Sequence, residues 1–138
     1  MANWLFKEEP SHYSFDYLVR DKKTVWDGVE NNLALIHLRN VAKGDRAFFY
    51  HTGDEKAVVG IIEVVKGPYA DPTRNDPRLV VVDVKPVGKL ARPVTLAEIK
   101  ANPKFAEFGL VKNSRLSVMP VTRDQWAEIE RMARRKED

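Results

Sequence analysis

Apolar residues recur in short runs, separated by glycine, proline and acidic turns. Their spacing switches between alternation and a three-to-four residue period. Asn3-Trp4-Leu5-Phe6 predicts a first strand, ended by Glu9-Pro10. Ser14 is placed to cap a short helix from Phe15 to about Val19, because its hydroxyl can accept an orphan amide. Thr24-Val25-Trp26 predicts a short extended piece, turned by Asp27-Gly28. From Asn31 to Val41 the spacing predicts a helix. Ala34, Leu35, Leu38, Val41 and Ala42 form one stripe, and Ile36 points away from it. Lys43-Gly44-Asp45 is expected to stop that helix, with Gly44 as the left-handed cap.

Arg46 to His51 reads as an aromatic strand. Ala57 to Lys66 is almost continuously apolar with Gly60 inside it. That predicts a buried strand with a bulge or a close backbone approach at the glycine. Gly67 to Pro77 is expected to be a loop, and Leu79 to Val87 another strand. Thr95-Leu96-Ala97-Glu98 is a capping box for a short helix stopped at Asn102-Pro103. Phe105 to Asn113 is expected to be a loop and Leu116 to Val121 the last strand. Thr122 to Gln125 is a second capping box, opening a terminal helix with Trp126, Ile129 and Ala133 on one face. The charged tail Arg134 to Asp138 is expected to fray. Strands are not evenly interleaved with helices, as a doubly wound sheet requires, and consecutive strands from Arg46 to Val87 favour an antiparallel or mixed sheet that curls. The expected class is α+β with a small barrel.

A length of 138 residues corresponds to one domain, 1–138, with enough chain to bury a core without staples. There are no cysteines, which excludes disulfides, thiolate chemistry and cysteine zinc sites. The first nine residues hold no apolar run of signal-peptide length, and the longest apolar stretches are strand-sized. The expectation is a cytoplasmic protein that does not enter membranes. With 23 basic against 20 acidic residues, specificity for any polyanion must come from a shaped site rather than from bulk charge. The seven glycines form no phosphate-cradling loop, there is no nucleophile elbow, and His12, His37 and His51 stand at no metal-ligand spacing. The expectation is a non-enzyme without metal or cofactor.

Four strings occur together in order: Trp4-Leu5-Phe6-Lys7-Glu8-Glu9-Pro10, Trp26-Asp27-Gly28-Val29-Glu30-Asn31, Gly44 through Thr52, and Ser114-Arg115-Leu116-Ser117-Val118-Met119-Pro120-Val121. In this order and at this length the chain resembles the EVE domain family, from Trp4 to Trp126. The resemblance implies a PUA-like pseudo-β-barrel of mixed and antiparallel strands flanked by short helices, related to YTH and ASCH domains. It implies a pocket between barrel and helices for an extruded base, modified cytosine in DNA or a modified base in RNA. It carries no catalytic centre. The chain departs from the family pattern after Val29. Glu30 and Leu35 stand where basic residues are usual, Asn32 where an aromatic is, and Leu33 where an amide is. Two cationic positions and a stacking ring are thereby lost at that edge.

A reader of a single base needs a flat ring for stacking, hydrogen bonds to the base edge and cations for the backbone. The candidates are Trp26 and Tyr50, with Trp4 in reserve, for stacking. Asn31 and Ser117 would read the edge, with Gly28 and Val29 offering backbone amides. Lys7 and Arg115 would hold phosphate or a carbonyl, and His51 would donate to either. Structural readings stand beside these: Trp26 and Tyr50 as core, Gly28-Val29 as a plain turn, Asn31 as a helix cap, and Arg115 paired with Glu9. Trp4 and Trp126 are assigned to packing, and Arg131, Arg134, Arg135 and Lys136 to a solvated helix end. Two alternatives to the base reader remain. One is a small-molecule (including nucleoside) or protein-interaction module on the same barrel. The other is a nucleotide- or RNA-acting enzyme using His51, Lys7 and Glu9.

Overall fold

In the computed structural model, which describes residues 2–134, the chain runs β1 (Asn3–Glu8), α1 (Phe15–Asp21), β2 (Thr24–Trp26), α2 (Asn32–Arg39), β3 (Arg46–His51), β4 (Ala57–Ala70), β5 (Val80–Thr95), α3 (Leu96–Ala101), a 3-10 turn (Pro103–Phe105), α4 (Gly109–Lys112), β6 (Val118–Val121) and α5 (Arg123–Arg134). Arg135 to Asp138 of the expected frayed tail, including Arg135 and Lys136, lie outside the described residues. The strands form one mixed sheet in the order β2-β5-β4-β3-β1-β6. β1 runs parallel to β3 and antiparallel to β6, and the remaining pairs are antiparallel.

The sheet curls strongly. β2 and β1 are four strand positions apart, which in a flat sheet would separate them by roughly 19 Å. Yet the Trp26 ring on β2 lies 5.3 Å from Phe6 on β1 and 5.2 Å from Phe49 on β3. Register shifts between β4 and β5 and within β3–β4 supply the bending. One of them falls at Gly60, as the pattern predicted. An added Cβ there would meet the Phe15 ring at 2.5 Å, so the glycine lets α1 sit directly on the strand.

Alternation divides the core. Phe6, Phe15, Trp26 and Phe49 interlock on one face through ring contacts of 5.2 to 5.5 Å. On the other, Trp126 of α5 stacks on Phe48 at 3.8 Å. Helix starts follow the expected chemistry. Ser14 accepts the Tyr17 N–H, and Thr95 and Glu98 form a reciprocal capping box. Thr122 and Gln125 exchange the equivalent bonds.

Three expectations are corrected. α2 ends at Arg39, capped by Asn40, so Gly44 is not its cap. Its φ of 93° instead serves the turn into β3, where its N–H donates to Val64. The expected loop at 67–77 begins later, because β4 continues pairing through Ala70. Pro68 is accommodated inside a register shift, where no ladder bond is demanded of it. The expected loop from Phe105 to Asn113 contains α4 and part of the 3-10 turn, because Phe105, Phe108 and Leu110 are all buried and draw the backbone into the core.

Candidate nucleic-acid interface

Parallel pairing of β1 with β3 sets Lys7 beside Tyr50 and Glu8 beside His51. Because successive strand residues face opposite ways, these two pairs open onto opposite faces of the sheet. Each face carries its own concavity.

On the Lys7 side, a cleft of about 260 Å³ lies between the strand ends and α3–α4. Lys7, Tyr50, Thr52, Lys56, Lys100 and Ser114 line it, with Leu96, Leu110 and Val111 as its apolar wall. The Lys7 ammonium donates to the Ser114 carbonyl at 3.0 Å and stands 5.7 Å from the Tyr50 ring centroid. Partial burial pushes the Lys7 ammonium below the usual lysine range, and burial pushes the Tyr50 phenol up to about 12. Lys56 enters the cleft from a left-handed conformation, φ 46°, and its carbonyl accepts the Leu96 N–H at 2.8 Å.

On the Glu8 side, a hollow of about 160 Å³ is lined by Glu8, His12, Tyr13, Thr24, Val25, Trp26 and Asp27. One Glu8 oxygen is engaged by His12 Nδ1 at 3.1 Å and by the Glu9 N–H at 3.0 Å. The other, and both oxygens of the exposed Asp27, have no protein partner among the described residues. The Tyr13 hydroxyl donates to Asp21 at 2.9 Å.

The expected site residues are therefore not one constellation. Lys7 and Tyr50 meet in the cleft, while Trp26 borders the hollow and cannot join Tyr50 in a cage. Trp26 is only 4% exposed, with its ring packed on Phe6 and Phe49, so it is a core residue that shows an edge to the hollow rather than a free stacking face. Trp4 is packing, as assigned: it is buried and its indole N–H donates to Asp45. Asn31 is the cap of α2, its amide oxygen accepting the Ala34 N–H at 3.0 Å, which ties the side chain to the helix start. Gly28, φ 76°, makes a turn into open space, and the Val29 side chain is buried; neither lines the cleft or the hollow.

His51 is not a free donor. Its Nε2 accepts the Phe15 N–H at 3.0 Å, and its Nδ1 lies 2.8 Å from Glu55. Both ring nitrogens are committed, the first as acceptor and the second as donor. Arg115 is exposed and forms no ion pair with Glu9, whose carboxylate instead accepts the hydroxyls of Ser11 and Thr52. Ser117 contributes its backbone, accepting the Lys7 N–H at 2.9 Å. Sequence reasoning missed Lys56, Lys100 and Ser114 in the cleft, and Glu8, His12, Tyr13, Thr24 and Asp27 in the hollow. Only the β4–β5 pairing of Ala57 with Thr95 brings Lys56 and Lys100 together, and no local pattern signals it.

The family described as "EVE domain" matches residues 2–132. Thymocyte nuclear protein 1 of Gallus gallus is 32% identical over 91% of this chain, which spans 66% of that protein's length. A protein of Rhodopseudomonas palustris solved by NMR superposes with a TM-score of 0.91 at 43% identity, covering 96% of this chain and 93% of that one. A crystal structure of the human THYN1 protein in complex with 5-methylcytosine containing DNA gives a TM-score of 0.91 at 26% identity, covering 99% of this chain and 100% of that one.

Proposed function

The chain belongs to the EVE domain family, and from that premise we propose that it is a non-catalytic nucleic-acid reader that seats one unpaired cytosine-type base in the hollow bordered by Trp26. The observation that carries this reading is the pair of carboxylates, Glu8 and Asp27, presented with free oxygens at the rim of an aromatic-lined hollow. Cytosine differs from thymine in offering an exocyclic amine, and a carboxylate is the side chain suited to accept from it. A volume of about 160 Å³ leaves room for a single ring rather than a whole nucleotide. Tyr13 supplies the accessible aromatic surface, and stacking of a base on such a ring is worth about 1–3 kcal/mol. The human relative bound to 5-methylcytosine containing DNA favours DNA as the polymer.

A 5-methyl group adds about 0.8 kcal/mol by area, less than tenfold in affinity. The hollow thus favours cytosine over thymine more strongly than methylated over plain cytosine. Catalysis by His51 with Lys7 and Glu9 is disfavoured by position. His51 faces away from Lys7 across the sheet, and Phe15 and Glu55 occupy its nitrogens.

The test is a titration of single-stranded and duplex oligonucleotides that differ at one position, 5-methylcytosine, cytosine or thymine. Wild type is compared with Glu8→Gln and Asp27→Asn. The expected result is a preference for both cytosines over thymine that falls about tenfold in at least one variant, in line with roughly 1–3 kcal/mol per base contact. Equal binding of cytosine and thymine by wild type would refute the reading.

A further inference from the structure

We propose that the cleft on the opposite face of β1 is a second ligand site, built for the phosphate of a nucleotide unit. Three lysines, Lys7, Lys56 and Lys100, converge on it from β1, the turn before β4, and α3. Among the described residues none of the three has a carboxylate within 4.0 Å, and it is their convergence on one concavity that sets them apart. Glu9, which abuts Gly53 at the rim, is occupied by Ser11 and Thr52. Asp54 and Glu55 do not line the cleft; they line an adjoining groove that shares Lys56, Leu96 and Lys100 with it, and there Glu55 is held by His51.

Concentrated, uncompensated positive charge in a concave site raises the local concentration of anions. The Lys7 ammonium spends one donor on Ser114 and keeps two for a ligand. Among the described residues the Tyr50 hydroxyl has no hydrogen-bond partner, yet its residue lines the cleft, so it is a further donor held ready. Partial burial already disfavours the Lys7 charge, and an anion would restore it. Leu96, Leu110 and Val111 make the other wall apolar, which suits the sugar or base attached to a phosphate rather than a bare inorganic ion. The inference does not rest on the base reading, since the cleft and the hollow share no residue.

The source of the phosphate, a free nucleotide or a nucleic-acid strand, is separated by experiment. The full chain is titrated with cytidine, cytidine 5′-monophosphate and a single-stranded oligonucleotide. Wild type is compared with the double variant Lys56→Gln/Lys100→Gln and, separately, with Tyr50→Phe. A control, Lys43→Gln/Arg123→Gln, removes the same charge from the other end of the sheet. Lys56 and Lys100 are exposed, so the double variant keeps the fold.

Free-nucleotide binding predicts that the monophosphate binds at least tenfold more tightly than cytidine, and that the double variant erases the difference. Strand binding predicts that the double variant weakens the oligonucleotide at least tenfold and flattens its salt dependence, with cytosine-over-thymine preference retained if the hollow reads the base. A double variant no weaker than the control toward both ligands would overturn the proposal.

Discussion

The His51 imidazole accepts the backbone N–H of Phe15, 36 residues away in the chain, at 3.0 Å. Phe15 is the first residue of α1, where backbone N–H groups have no partner inside the helix. A side chain of β3 thus helps Ser14 cap α1 from outside. His51→Ala is expected to lower unfolding free energy by about 1–3 kcal/mol, the cost of stranding a buried donor. Oligonucleotide affinity should change less than twofold. Denaturant unfolding beside a binding titration checks both, and a variant that folds normally but no longer binds would return His51 to the interface.

Trp26→Ala empties the centre of the Phe6–Phe49 cluster. An unfolding cost of about 3–5 kcal/mol is expected, as for other buried tryptophans. Far-ultraviolet circular dichroism during denaturation measures it. Loss of binding in this variant would report loss of the fold, so Glu8 and Asp27 are the better probes of the hollow.

Gly60→Ala sets a methyl group 2.5 Å from the Phe15 ring, which is itself fully packed. Destabilisation of about 1–3 kcal/mol is expected from overpacking. The same substitution in a Phe15→Leu background should cost less, because the obstructing ring is gone. A double-mutant cycle reads that coupling, and strict additivity would mean the strain lies elsewhere.

Acid should loosen the attachment of α5. Arg131 and Asn102 hold the Glu128 carboxyl from the ordinary 4.5 down to about 2, and Arg92 and Thr95 do the same for Glu98. A carboxyl depressed in the folded state binds its proton more readily once unfolded. The stability it contributes is complete above about pH 4.5 and disappears as pH falls toward about 2. Urea midpoints across that window should fall steeply in wild type and less steeply in Glu128→Gln. At pH 7 the variant should already be about 1–3 kcal/mol weaker, from lost charge-assisted hydrogen bonds.

Local chemistry was legible in the sequence. Ser14, Thr95 and Thr122 announce helix starts through their own side chains, and Gly60 announces a close approach inside an apolar strand. Strand ends were less legible, because pairing partners rather than composition carry β4 to Ala70 and β5 to Thr95. The sites were least legible. Family resemblance drew Lys7, Trp26, Tyr50 and His51 into one constellation, but which face each side chain takes depends on the β1–β3 pairing and on the curl that brings Trp26 over Phe49. Lys56 and Lys100 join Lys7 only through β4–β5 register, a relation between distant segments that periodicity does not contain.

The parity of β1 is consequently a selector of charge. Its last two residues are not interchangeable: Lys7 gives its ammonium to one concavity, and Glu8 gives its carboxylate to the other. A slip of one residue in this strand would exchange the two signs and drive Trp4 and Phe6 into the packed layer on the Leu5 side. Insertions or deletions between Asn3 and Glu8 should therefore be the least tolerated in the chain, for reasons of recognition as much as of folding.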